Sequence, residues 1–169
     1  MALRHLGLVL VWAVFLIGSI FSQTINLLEN SVVNWNITVS ATDLSGPGGS
    51  DFINFKETAA NFVHLGVDVN PNNTAWQITI HRVDTNWPSF LRLYARGTLP
   101  ANGARFTWTW GQNVYGEVTT VAKQICYGRR DRLTGINIQL RVEGISVDNG
   151  LAIGNYVTTI VYTAIAPYP

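Results

Sequence analysis

The sequence predicts an all-β chain: one antiparallel β-sandwich preceded by an N-terminal signal peptide. Apolar and polar residues alternate at a period of two in segment after segment, which builds half-buried strands rather than helices. Clusters of Gly, Pro, Asn and Asp separate those segments and mark reversals of the chain. The apolar start of the chain has the pattern of a leader and is set aside before the fold is read.

Arg4 and His5 precede an apolar run over residues 6–21 that ends at Ser22 and Gln23. A short cationic head followed by an apolar stretch is the signal-peptide pattern, and the run is shorter than the roughly 20 residues needed to span a bilayer. The expected boundaries are 1–22 for the signal peptide and 23–169 for a single β-sandwich domain, since no linker or low-complexity segment divides the remainder. Ile20 and Ser22 stand where a cleavage site usually carries alanines, so the alternative is a leader retained as an anchor. No later segment has the length and apolarity of a membrane helix. The expected location is outside the cell, secreted or at the cell surface.

Strands are expected in chain order as follows. Val33, Trp35, Ile37, Val39 and Ala41 alternate with Asn34, Asn36, Thr38 and Ser40, and Trp76, Ile78 and Ile80 with Gln77, Thr79 and His81. Phe106, Trp108 and Trp110 alternate with Thr107 and Thr109, and Ile136, Ile138, Leu140 and Val142 with Asn137, Gln139 and Arg141. Further strands are expected over residues 62–69, 91–96, 118–127 and 156–165, with one short helical turn over residues 55–62. Turns are expected at residues 45–50, 70–73, 99–103 and 148–150, where Gly, Pro, Asn or Asp supplies a positive or preset φ.

The segments WNITV from Trp35 and WQITI from Trp76 repeat one pattern. Each tryptophan shares a strand face with Ile and Val, the face that a two-layer fold buries, so both are expected in the core. The competing reading is an aromatic platform for carbohydrate. Its best candidates are Trp87, beside Pro88 in a loop, and Tyr115, in the turn between Gly111 and Gly116, because a loop aromatic has no strand face to fill.

Composition removes several classes. Eleven Lys plus Arg face ten Asp plus Glu, and the two balance once Arg4 leaves with the leader. A chain without a basic stripe has no footprint for nucleic acid. Hydrophobic residues make up 47% and aromatics 11%, too apolar for disorder. Cys126 is the one cysteine, so no internal disulfide holds the fold, and it is expected to pack as a small buried group. Glu57, Glu117 and Glu143 are dispersed singly, and no nucleophile elbow is present, so no enzyme activity is expected. Asp68, Asn70 and Asn72 open like a calcium loop, but Asn73 replaces the required Gly and Thr79 the closing Glu. No metal or cofactor is expected. Arg129, Arg130 and Arg132 surround Asp131 and read as a solvated hairpin tip. Asn36 and Asn72 each begin a glycosylation sequon.

One stretch suggests a family. The segment GNYVTTIVYT, from Gly154 to Thr163, resembles the closing strand of secreted bacterial β-sandwiches of the spore-coat-U-like and pilin-like kind. The resemblance covers about ten residues, and the chain departs from the spore-coat-U pattern in lacking paired cysteines. It implies an Ig-like or pilin-like sandwich and, for some members, surface fibres built by donating a terminal strand to the next subunit. The segment over residues 23–31, with Ile25 and Leu27 at spacing two, is the candidate assembly strand, because it is the free end left by a removed leader. The expected function is a secreted structural or interaction protein, a filament subunit that self-associates into polymers; the alternative is a secreted carbohydrate-binding module with glycan partners.

Overall fold

The alternating segments become strands wherever the chain finds a ladder partner. The computed structural model describes residues 24–29, 35–47, 50–70, 74–100, 103, 105–129, 132–152 and 154–166. The leader expected over residues 1–22 lies outside them. The strands are β1 (Thr24–Glu29), β2 (Phe55–Glu57), β3 (Val63–Asn70), β4 (Trp76–Asn86), β5 (Arg92–Leu99), β6 (Phe106–Trp108), β7 (Gly116–Glu117), β8 (Lys123–Gly128), β9 (Arg132–Glu143) and β10 (Val157–Ile165). A 3-10 turn at Ala41–Asp43 is the one helical element among the described residues. The chain is therefore all-β, with two antiparallel sheets.

The first sheet runs β1-β3-β9-β5-β7, and the second β10-β4-β8-β6. The twelve-residue β9 organises the first. β5 lies along one of its edges, from Arg92 opposite Glu143 to Leu99 opposite Asn137. Its other edge is shared by β3, with Val63 opposite Ile138, and by β2, with Glu57 opposite Arg141. In the second sheet β4 is paired on both sides, by β10 and by β8.

Alternation decides which side chains meet. Val63, Leu65, Val67 and Val69 of β3 and Ile136, Ile138, Leu140 and Val142 of β9 are all buried, as are Trp76, Ile78 and Ile80 of β4. Together they belong to one core to which both sheets contribute. Two glycines make room for its indoles. Gly97 on β5 leaves bare backbone against which the Trp108 ring lies, and Gly128, directly opposite Trp76 in the ladder, does the same for that ring. Trp108 also donates its Nε1–H to the Pro100 carbonyl at 2.8 Å, so a core ring with a polar edge leaves no unmet donor.

Four sequence expectations are corrected. Residues 35–40 alternate half-buried with exposed positions, as expected of a strand, but they join neither ladder. Trp35, Ile37 and Val39 pack onto the core, and Trp35 meets Phe62 at 6.3 Å. The chain then turns because the Asp43 carboxylate accepts from the Ser40 N–H at 2.9 Å and pairs with Lys56. Residues 55–57 form an edge strand on β9 instead of a helical turn. The strand expected from Phe106 to Trp110 stops at Trp108, where the chain crosses to run beside β5: the Gly97 N–H donates to Gly111, and the Asn113 N–H to Gly97. The strand expected over residues 118–127 is β8 alone, and residues 118–122 lie between β7 and β8.

Candidate functional site

The face of the first sheet turned away from the core carries the densest polar chemistry among the described residues. It follows from register. Residues facing out from β5 are Arg92, Tyr94 and Arg96, and those facing out from β9 are Gln139, Arg141 and Glu143. The ladder sets Glu117 opposite Tyr94, Tyr94 opposite Arg141, and Arg141 opposite Glu57, so one row crosses four strands. The neighbouring row is Arg92, Glu143 and Phe55, and the next sets Arg96 opposite Gln139. Two of these opposed pairs, Arg92 with Glu143 and Arg141 with Glu57, join opposite charges, which favours cross-strand pairing.

Arg141 is the centre. Its Nη2 donates to Glu57 Oε2 at 3.0 Å and its Nη1 to Glu143 Oε1 at 3.2 Å. Its guanidinium lies 4.5 Å from the Phe55 ring and 4.0 Å from the Tyr115 ring, within cation–π range of both. Tyr115 donates its hydroxyl to the same Glu57 oxygen at 2.8 Å. Arg96 lies 4.7 Å from the Tyr115 ring and donates its Nε–H to Gln139 Oε1 at 2.7 Å. Gln139, itself buried, passes the network inward by donating to the Thr58 carbonyl at 2.5 Å.

These contacts set the protonation of the cluster. The Tyr115 hydroxyl, then the hydrogen bonds and charge of Arg141, hold the Glu57 carboxyl below its ordinary value of 4.5 against the opposing effect of burial. Burial and the bond to Glu57 push the Tyr115 phenol up. Glu57 is thus a carboxylate and Tyr115 a neutral donor at neutral pH. The result is a face that carries three arginines, Arg92, Arg96 and Arg141, and three carboxylates, Glu57, Glu117 and Glu143, on neighbouring strand rows.

Of this cluster the sequence singles out only Tyr115 as a candidate for binding; Glu57, Glu117 and Glu143 are dispersed along the chain, and strand register brings all three to one face. The polar positions of the alternation at Gln139 and Arg141 were the available signal, but their partners on β2, β5 and β7 follow only from the pairing.

Tyr115 carries two guanidinium groups on its ring, surface that a stacked sugar would need. Trp87 is half-buried against the core, donates its Nε1–H to the Leu91 carbonyl at 2.8 Å and has the Arg82 guanidinium 5.8 Å from its ring. The fold does not bring Trp87 into the Tyr115 cluster through any contact among the described residues. Ile25 and Leu27 lie in β1, half-buried, opposite Val69 and Val67 of the chain's own β3. The candidate assembly strand therefore occupies an edge position within its own sheet.

Other candidates offer less. Cys126 is fully buried, and burial pushes its thiol far above the ordinary range, against a backbone hydrogen bond from Ile78 that works the other way. Such a thiol is inert. A cavity bounded by Ile80, Ala95, Gly97, Trp108 and Ile125 has a volume of about 10 Å³, room for a single water at most. No group of three His, Cys, Asp or Glu among the described residues is placed to hold a metal ion. Of the calcium-like loop, Asp68 and Asn70 are exposed at the end of β3, and Asn72 and Asn73 lie outside the described residues, as do Arg130 and Asp131 of the basic cluster. Asn36 is exposed in the extended segment. No helix among the described residues is long and apolar enough to cross a membrane, which leaves crossing by strands unaddressed.

No family model, curated protein or solved structure matches the chain in comparisons with known proteins.

Proposed function

We propose that the two sheets form a β-sandwich of Ig-like or pilin-like type, exported by its leader, and that the protein is an extracellular structural subunit that self-associates by exchanging β1. The observation that carries this reading is the position of β1. It is an edge strand held through a single ladder to β3, in which six residues pair and Ile25 and Leu27 stay half-buried. β3 beneath it has Val63, Leu65, Val67 and Val69 fully inside, so the place vacated by β1 is an unpaired edge next to an apolar core. The β1 of a second copy fills that place with the same backbone bonds and the same side chains. The charged face around Arg141 then remains on the outside of the assembly.

Deleting residues 23–29 tests the reading. Negative-stain microscopy and sedimentation of the undeleted chain should show polymers, and the deleted chain should remain folded and fail to polymerise at any concentration. Polymers of the same form from the deleted chain, or an undeleted chain that stays monomeric throughout, would refute it.

A further inference from the structure

The second sheet has an edge of its own. β10 pairs β4 at nine positions, and among the described residues no strand pairs its other side; β1, in the other sheet, approaches it without joining it. Natural edge strands are usually kept short, charged, bulged or interrupted by Pro, because an unpaired row of N–H and C=O groups recruits another strand. β10 has little of this protection. From Gly154 to Ala166 the sequence holds no charged residue and no Pro. Its one irregularity lies between Val157 and Thr158, at the very start of the strand, and leaves the rest regular.

Burial points the same way. Tyr162 stands opposite Ile80, and Ala164 opposite Ile78. The two isoleucines are fully buried, whereas Ile160, Tyr162 and Ala164 pack on the core and stay half-buried. A further strand at that edge would cover them more fully.

The pattern of β10 identifies that strand. Val157, Thr159, Thr163 and Ile165 are exposed, and they stand symmetrically about Val161; the half-buried Thr158, Ile160, Tyr162 and Ala164 fill the positions between. Run backwards, the strand presents the same succession of characters. We infer that β10 pairs antiparallel with β10 of a second copy about a two-fold axis through Val161. Thr159 then faces Thr163 of the second copy, and Val157 faces its Ile165, so the exposed apolar residues at the two ends, 47% and 42% exposed, cover each other. Ile160 faces Tyr162 on the core side. Charge selects the same occupant: an uncharged strand meets its own copy with no like charges opposed, and has no counter-charge for a charged partner. Such a contact is isologous and closes at two copies. The ladder it extends is that of the second sheet, whereas β1 is hydrogen-bonded in the first.

Thiol cross-linking of the full chain tests the dyad. Val161→Cys treated with a short bifunctional maleimide should give a covalent dimer, while the chain without this substitution gives none because Cys126 is buried. In a second experiment, chains carrying Thr159→Cys and Thr163→Cys should cross-link when mixed about tenfold more than either does alone, since the register sets 159 against 163 and holds each well away from its own copy. Polymers formed through β1 alone leave the two Val161 residues apart and yield no such product. Absence of the covalent dimer in both experiments, or self-linking of Thr159→Cys as efficient as the mixed reaction, overturns the proposal.

Discussion

Gly97 of β5 and Trp108 of β6 belong to different sheets, and the indole rests where a side chain at 97 would be. A Cβ added there would come within 2.6 Å of three ring atoms, and Trp108 cannot swing aside without losing its hydrogen bond to Pro100. Gly97→Ala should therefore destabilise the fold by about 1–3 kcal/mol, the usual cost of overpacking a filled core. Urea denaturation measures this directly. A loss under about 0.5 kcal/mol would mean that the two sheets are not held this closely.

Trp35 and Trp76 begin the same five-residue pattern and meet different fates. Trp76 is fully buried in a strand paired on both sides, and Trp35 is half-buried in a segment that joins no ladder. Trp76→Ala should cost about 3–5 kcal/mol, as removal of a large core aromatic does. Trp35→Ala should cost about 1–2 kcal/mol, in proportion to the smaller apolar area it hides. Equal losses would place both rings in equivalent environments.

These two tryptophans also mark how far the sequence was legible. Alternation identifies which residues face the core, and it does so correctly for β4, β9 and the segment from Trp35 to Val39 alike. It does not say whether a segment finds a ladder partner, because that depends on chain reversals such as the Asp43–Lys56 pair, whose members lie 13 residues apart. The Arg141 cluster was illegible for the same reason: Glu57 and Arg141 are 84 residues apart and meet only through the pairing of β2 with β9. The role of Gly97 was hidden as well, since a glycine in a strand shows what approaches it only once the opposite sheet is in place.

Glu57 should make stability depend on pH through its bond to Tyr115 and its ion pair with Arg141. Its folded value lies below the ordinary 4.5, so the ionised form favours the folded chain. This contribution is fully present above the unfolded value and is lost as pH falls through the lower folded value. Glu57→Gln should therefore be less stable than the native chain at about pH 6, with the difference shrinking steadily in acid below about pH 4. The contribution is modest because the Glu57 side chain is 36% exposed to solvent. Parallel chemical denaturation of both proteins across that range reads the difference, and a gap that does not vary with pH would remove Glu57 from the acid response.

The exchange of β1 predicts that the strand can also be supplied from outside. A chain lacking residues 23–29 presents the β3 edge, and a synthetic peptide of those residues should bind there, pairing its backbone with β3 and seating Ile25 and Leu27. Binding to the folded state alone raises stability with peptide concentration, by about 2.7 kcal/mol at a hundredfold excess over Kd, and thermal melting follows the rise. Side chains at alternate positions decide which peptides work. Ile25 and Leu27 pack on the core while Thr24 and Asn26 are exposed, so a peptide with Ile25→Asp and Leu27→Asp should fail to stabilise and one with Asn26→Ser should succeed. An Asp introduced at either half-buried position would set a carboxylate against the apolar core without a partner, and the desolvation cost opposes binding. If all three peptides stabilise equally, or none does, β1 is not held by its side chains and an exchanged strand could not select the β3 edge.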